Sequence, residues 1–459
     1  MTLLTDRFRA HVERSRLLAA PGTAIVAVSG GPDSAALLDL LANALAPGLD
    51  LVVAHVDHGI QAGGGSAAAA RIARSQAEQY GLPFESTELA LGPHATETTA
   101  RRARYAWLRD VQARRAARYL VTAHHQDDQV ETVLLRVLRG SAPAGLAGIA
   151  ARSPNGLVRP LLPFTHAELA AHVAARGLPV HDDPANRDPR HARSWIRTTL
   201  LPLIVERFGP EAVRGLRRVA RYAAWERRAW DRLLAELSDL EFRAIPHGFD
   251  VARAPLARYD AAVAAALLRA AARRAALVIG PERATRLVSF AGKTSGQRLP
   301  LGGGWLAEIA FDRLRVTRAG AADAREPAVV AAGERGRLSF GRFQVHWQPE
   351  AAPGRLERVG WTTWIAPDDV GFEVRGYQRG DRIQPLGGVG HRPVRQLLME
   401  AHVPRSERQR YPVVARKGDV STVLWIPGVC RGAVAVPAPG TEAVRIDVTD
   451  GESQADRRA

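Results

Sequence analysis

The chain has one cysteine, Cys430, in 459 residues. A lone thiol excludes an internal disulfide framework and any zinc or iron–sulfur centre built from several cysteines. Lysine is scarce beside abundant arginine, a bias in keeping with a GC-rich coding sequence. No uninterrupted apolar run reaches membrane-spanning length, and no charged-then-apolar leader opens the chain. These absences predict a cytoplasmic protein with no membrane partner. Negative charge is in the minority: 63 Lys and Arg against 47 Asp and Glu give a net charge of +16. Such an excess favours a polyanionic partner, nucleic acid foremost, through counterion release. A chain of this length buries a large core and divides into two or three domains.

What is present is organised around Ser29-Gly30-Gly31-Pro32-Asp33-Ser34. The apolar, β-branched run Thr23-Ala-Ile-Val-Ala-Val28 precedes it, and the helix formers of Ala35 to Leu45 follow. A glycine pair therefore sits where a buried parallel strand turns into a helix. Gly30 and Gly31 allow close backbone approach to a ligand, and Pro32 suits the first helical turn. The free N–H groups of that turn favour a phosphate, with Ser29 and Ser34 adding hydroxyls. Asp33 would repel phosphates unless Mg²⁺ lay between, which makes it the candidate metal ligand. The stretch resembles the S-G-G-x-D-S signature of the PP-loop ATP pyrophosphatases. That resemblance implies cleavage of ATP to AMP and pyrophosphate while a substrate is adenylated.

Strands near 23–28, 51–56, 82–89 and 119–123 alternate with helices, which predicts a parallel sheet covered on both faces. Ligands bind such sheets outside the carboxyl ends of the strands, so chemistry is expected just after residues 28, 56 and 123. His55-Val-Asp-His-Gly59 stands at the second of these places, and Ala123-His-His-Gln-Asp-Asp-Gln-Val-Glu131 at the third. His55, Asp57 and His58 are read as nucleotide-positioning residues. Four histidines, His55, His58, His124 and His125, lack the spacing of a zinc site and are read as positioning nucleotide or amine. Asp127, Asp128 and Glu131 exceed what helix capping needs, and are read as holding Mg²⁺ or the ammonium of an amine substrate. Arg101 and Arg104 share a face of the long helix near 96–118, which reads equally as a solvated basic face or as guanidiniums that stabilise phosphate charge.

Beyond His181 an Asp/Pro/Asn cluster leads into a basic segment, Arg193-Ser-Trp-Ile-Arg197, closing the first domain. From about Pro210 to Ala276 the periodicity is helical and rich in arginine, including Arg214, Arg217, Arg218, Arg221, Arg227 and Arg228. These arginines suit an RNA backbone. A linker over 321–335 precedes a mixed α/β module with arginine-studded loops, and the tail after Gly451 reads as disordered. The fold class is thus α/β. It comprises a parallel-sheet PP-loop domain of the adenine nucleotide alpha hydrolase kind over 1–209, a helical domain over 210–320, and a small mixed α/β domain over 335–447.

Taken in order, Ser29–Ser34, His55–Gly59, Ala100–Tyr105, Ala123–Glu131, Asp182–Arg197 and Gly380-Asp-Arg-Ile-Gln-Pro-Leu-Gly387 with Ile426-Pro-Gly428 resemble the bacterial tRNA(Ile)-lysidine synthetases. The resemblance implies ATP and Mg²⁺ as cofactors, and L-lysine and tRNA(Ile) with a CAU anticodon as partners. ATP would adenylate C2 of the wobble cytidine, and lysine would displace AMP. It implies catalytic roles for Asp33, Arg104, Asp127, Asp128 and Glu131, and ATP contacts from Ser29, Gly30, Gly31, Pro32, Asp33 and Ser34. A homodimer is left open. So is another PP-loop tRNA-modifying activity, such as 2-thiolation, although a single cysteine far from the loop argues against it. Ser194 stands where the family commonly has asparagine.

Overall fold

Five strands set the frame of the N-terminal part: β1 (Gly22–Ala27), β2 (Leu49–Asp57), β3 (Phe84–Glu88), β4 (Tyr119–Val121) and β5 (Leu157–Val158). All four pairings between them are parallel, and the sheet order is β3-β2-β1-β4-β5. The order in which strands are added reverses between β1 and β4, which opens a crevice above their carboxyl ends. This computed structural model describes residues 3–44, 48–57, 65–89, 97–181, 188–245, 247–318, 329–330, 335–367, 371–418 and 422–450. His58 and Gly59, the cluster from Asp182 to Arg187, most of the 321–335 linker and the tail lie outside the described residues.

Helices fill both faces because β1 and β2 are apolar on both sides. Ala24 and Val26 point into one core with α1 (Leu4–Ser15), α2 (Pro32–Ala44) and α3 (Gly65–Gln79). Ile25, Val52 and Ala54 point into another, closed by Leu108 and Val111 of α4 (Glu97–Arg114). The remaining helices are α5 (Gln126–Leu138), α6 (His166–Arg176), α7 (Ala192–Trp195), α8 (Leu201–Phe208) and α9 (Glu211–Glu236), with a π turn over Ile196–Leu200. Val130 and Leu134 of α5 pack with Ile196, and Val213 and Leu216 of α9 lie against the same cluster.

The chain forms two compact units, Met1–Ala229 and Trp230–Ala459. In the second, the expected helices at Ala261–Arg274 and Pro281–Ala291 are joined by a five-stranded antiparallel sheet that the helical reading of 210–320 did not include. One of its strands, Arg313-Leu-Arg-Val-Thr-Arg318, alternates apolar residues with arginine, so its polar half passes for basic surface. Further on, a five-stranded and a four-stranded sheet build the mixed α/β part. There Arg375 forks onto Asp381 at 2.9 and 3.0 Å, both side chains buried, which anchors the Gly380-Asp-Arg loop. Arg431 is 1% exposed and donates to the carbonyls of Leu424, Gly432, Val434, Trp364 and Ala435. Burial brings its guanidinium down to about 10. Among the described residues no helix is long and apolar enough to cross a membrane.

Candidate active site

The loop after β1 is shaped from inside. Ser34 is buried; its hydroxyl accepts from the Ser29 N–H at 3.1 Å and donates to the Gly31 carbonyl at 2.9 Å. That hydroxyl braces the turn, while Ser29 remains exposed. Gly30 adopts φ +86°, and a Cβ there would lie 2.9 Å from the Ala69 carbonyl oxygen of α3. Gly31 has no positive φ, and a Cβ would make only ordinary contacts, with Ser29 Oγ at 3.6 Å and the His181 carbonyl at 3.9 Å. The special backbone requirement therefore falls on Gly30 alone.

Asp33 sits in the first turn of α2 and faces the loop after β4. Its carboxylate lies 2.8 Å from His166 Nδ1 and 3.5 Å from His125 Nε2. Burial would raise the Asp33 carboxyl, but hydrogen bonds and charge from the two imidazoles prevail and hold it far below the ordinary range. Burial likewise opposes protonation of His125, yet Asp33, Asp128 and Asp127 raise it. His166 is raised chiefly by its bond to Asp33. A histidine–carboxylate cluster thus spans the crevice.

Capping accounts for part of the acidic cluster. The Asp128 Oδ2 accepts from the His125 N–H at 3.0 Å, and His125 Nδ1 accepts from the Asp127 N–H at 3.2 Å, a reciprocal cap on α5. Asp127 Oδ2 accepts from the His166 N–H at 2.7 Å and so ties α6 to α5. Glu131 lies deeper, 1% exposed, with Oε1 accepting from Arg197 Nε at 2.6 Å. Its Oε2 is buried without a hydrogen-bond partner, and burial raises the carboxyl against the pull of Arg197. Arg197 also lies 3.7 Å from Asp128 Oδ1. The π turn carries Arg197 here, a helix defect often found where function is placed.

Arg101 and Arg104 lie over the Tyr105 ring at 5.1 and 5.9 Å. Burial, then the charges of Arg159, Arg101 and Arg104, bring the His124 imidazole down to about 3 against the pull of Asp128. Arg104 thereby stands at the same end of the sheet as the acids. His55 is buried elsewhere: its Nδ1 lies 2.8 Å from the Val28 carbonyl, its Nε2 has no partner, and burial lowers its pKa. It therefore props the start of the loop as a neutral ring. Asp57 ends β2, half-buried.

Two residues escape the sequence reading as site members: His166 and Arg197. His125 is among the histidines read as positioning nucleotide or amine, and Arg197 stands in its block; His166 has no motif around it. Asp33, His125 and His166 each offer a ligand atom within 4.8 Å of the others. Two imidazoles and a carboxylate suit a borderline cation, whereas Mg²⁺ takes oxygen and needs only one or two carboxylates beside phosphate and water. Asp33 supplies such an oxygen.

A parallel sheet ordered β3-β2-β1-β4-β5, with a phosphate-type loop after β1 and an imidazole–carboxylate cluster at the crevice, defines a PP-loop nucleotide-using enzyme. Residues 6–204 match the PP-loop domain family, and residues 372–448 match the TilS substrate C-terminal domain. The chain belongs to the tRNA(Ile)-lysidine synthase family. The tRNA(Ile)-lysidine synthase of Symbiobacterium thermophilum is 35% identical over 97% of this chain and 98% of its own length. That of Pseudomonas aeruginosa is 35% identical over 88% of this chain and 90% of its own. The enzyme of Alkalilimnicola ehrlichii is 34% identical over 87% and 88%. As a PP-loop ligase of this family, the protein uses ATP.

Proposed function

We propose that the protein ligates L-lysine to C2 of the wobble cytidine in the CAU anticodon of tRNA(Ile), acting with Mg²⁺ in the cytoplasm. The observation that carries this reading is the convergence of Asp33, His125 and His166 with Arg197 and Glu131 at the switch point. A carboxylate of the loop after β1 and one buried carboxylate with an unmet acceptor meet in the same crevice.

In the first step the cytidine C2 oxygen attacks the α-phosphorus of ATP and pyrophosphate leaves. The loop N–H groups and Ser29 bind the leaving pyrophosphate, and Arg104 stabilises charge developing on the phosphates. Mg²⁺ bound at Asp33 would neutralise phosphate charge there. In the second step the lysine side-chain amine attacks C2, AMP departs, and the amine proton passes to solvent. Adenylation makes this displacement feasible near neutral pH, because AMP is a better leaving group than the oxygen alone. Glu131, with its free Oε2, and Asp128 are the acids best placed for lysine; Asp127 is engaged with α6.

The test is pyrophosphate exchange and labelled-lysine incorporation with tRNAs differing only in the anticodon. Exchange that needs a CAU-anticodon tRNA, with lysine joined to RNA, supports the reading. Turnover independent of tRNA and lysine would sink it. Sulfur transfer to the tRNA would favour a 2-thiolation enzyme instead.

A further inference from the structure

We propose that α9 carries a stacking platform for an unpaired RNA base, made of Tyr222 and Trp225, beside a cavity that holds the phosphates of the same strand. The proposal rests on the reading that the protein acts on tRNA. Tyr222 and Trp225 are three residues apart on the helix, with ring centroids 5.5 Å apart and planes at 78°. They are 56% and 51% exposed. Their exposure is not a packing necessity. The buried stripe of α9 is already supplied by Val213, Leu216, Ala220 and Ala223.

Arg221 joins the rings to the cavity. Its guanidinium carbon lies 5.6 Å from the Tyr222 centroid and 5.4 Å from that of Trp225, and the residue also lines the cavity. The cavity measures about 770 Å³, and Arg152, Arg217 and Arg228 line it with Gln126 and Gln129. Among its lining residues there is no carboxylate. Positions 214, 217, 218, 221 and 228 fall on one side of the helix, so the arginines form a continuous stripe. The opposite wall is pinned: the Gln129 amide bonds Ile149 through both its atoms, and Arg136 donates to the Gly145 and Gly148 carbonyls at 2.6 and 2.8 Å. Gln126 and Gln129 flank Asp127 and Asp128 on α5, so the cavity begins beside the acids of the active site.

Arg214 is paired with Glu211 at 2.7 Å, but the cavity has no carboxylate in its lining; its arginines answer to a polyanion, and exposed rings answer to a base face. A duplex keeps its bases stacked and would leave the rings unused. An acidic protein segment would meet the arginines but not the ring pair. A single-stranded loop of the tRNA meets both.

The test is tRNA binding to the full-length protein by filter retention across a series of salt concentrations. Trp225→Ala and Tyr222→Ala should each weaken binding at least about fivefold with the salt slope unchanged. Trp225→Phe should retain most of the affinity. Arg217→Ala and Arg228→Ala should instead flatten the slope by about 0.7 each. A 5-iodouridine-substituted tRNA irradiated on the protein should crosslink to the peptide holding Tyr222 and Trp225. Wild-type affinity in Trp225→Ala, with a crosslink elsewhere, would overturn the platform while leaving the enzyme reading intact. Absence of both tRNA binding and lysine incorporation in the wild type would instead remove the reading beneath it. Displacement of the tRNA by polyglutamate as readily as by polyuridylate would show a general anion surface and overturn the proposal too.

Discussion

His166 Nδ1 lies 2.8 Å from the Asp33 carboxylate, tying the first residue of α6 to the first turn of α2 across 133 positions of chain. The contact joins a loop that the sequence marks clearly to a residue that it does not mark at all. It also fixes where the carboxylate points.

His166→Ala should therefore loosen Asp33 without removing it. Pyrophosphate exchange would show a raised KM for ATP, and the acid limb of its pH profile would move up toward the ordinary carboxyl value of about 3.9. An unchanged acid limb would mean that His166 does not govern Asp33.

The pH dependence of stability has a definite sign. The Asp33 carboxyl is lowered, so its contribution is present above the ordinary carboxyl value and is lost only as pH falls through the lowered one. His125 and His166 are raised, so theirs is complete below about 6.5 and is lost as pH rises through the raised values. In thermal melts from mildly acid to alkaline pH, the wild type should lose more Tm on the alkaline side than His125→Ala/His166→Ala does. Parallel curves would refute the linkage.

The two loop glycines should behave differently. Gly30→Ala meets a positive φ and the Ala69 carbonyl at 2.9 Å, so it should cost at least about 1 kcal/mol of stability and most of the exchange activity. Gly31→Ala adds a methyl in ordinary contact with Ser29 Oγ and should keep the fold and measurable exchange. Equal losses in both would place the constraint elsewhere.

Glu131→Gln should raise the KM for lysine about tenfold or more, because a charge-assisted contact to the amine is lost, while tRNA-dependent exchange continues. Arg197→Met leaves the buried carboxylate without its partner and should cost about 1–3 kcal/mol in urea denaturation. Lysine kinetics unmoved by Glu131→Gln would remove that residue from the amine site.

The parallel frame was legible because β1 and β2 are unbroken apolar runs, and because the motifs stand just after strand ends. β5 escaped notice since two residues carry no period, and its neighbour α6 went with it, taking His166 out of view. The acids after β4 were found as residues but not as roles. Nothing in Asp127-Asp-Gln-Val-Glu131 says that its first member caps a helix 39 positions on. In the second unit the antiparallel sheet hid behind arginine. A strand such as Arg313–Arg318 alternates correctly, and Leu314 and Val316 are its buried members.

Arg431 has an unusual standing among so many arginines. Its five acceptors are main-chain carbonyls from three stretches of the C-terminal part, and none can be removed by changing a side chain. A shorter cation such as lysine has three donors on one atom and would leave carbonyls dry. Position 431 is closed to neutral drift, and the cost of any replacement falls on a backbone that has no means of adapting.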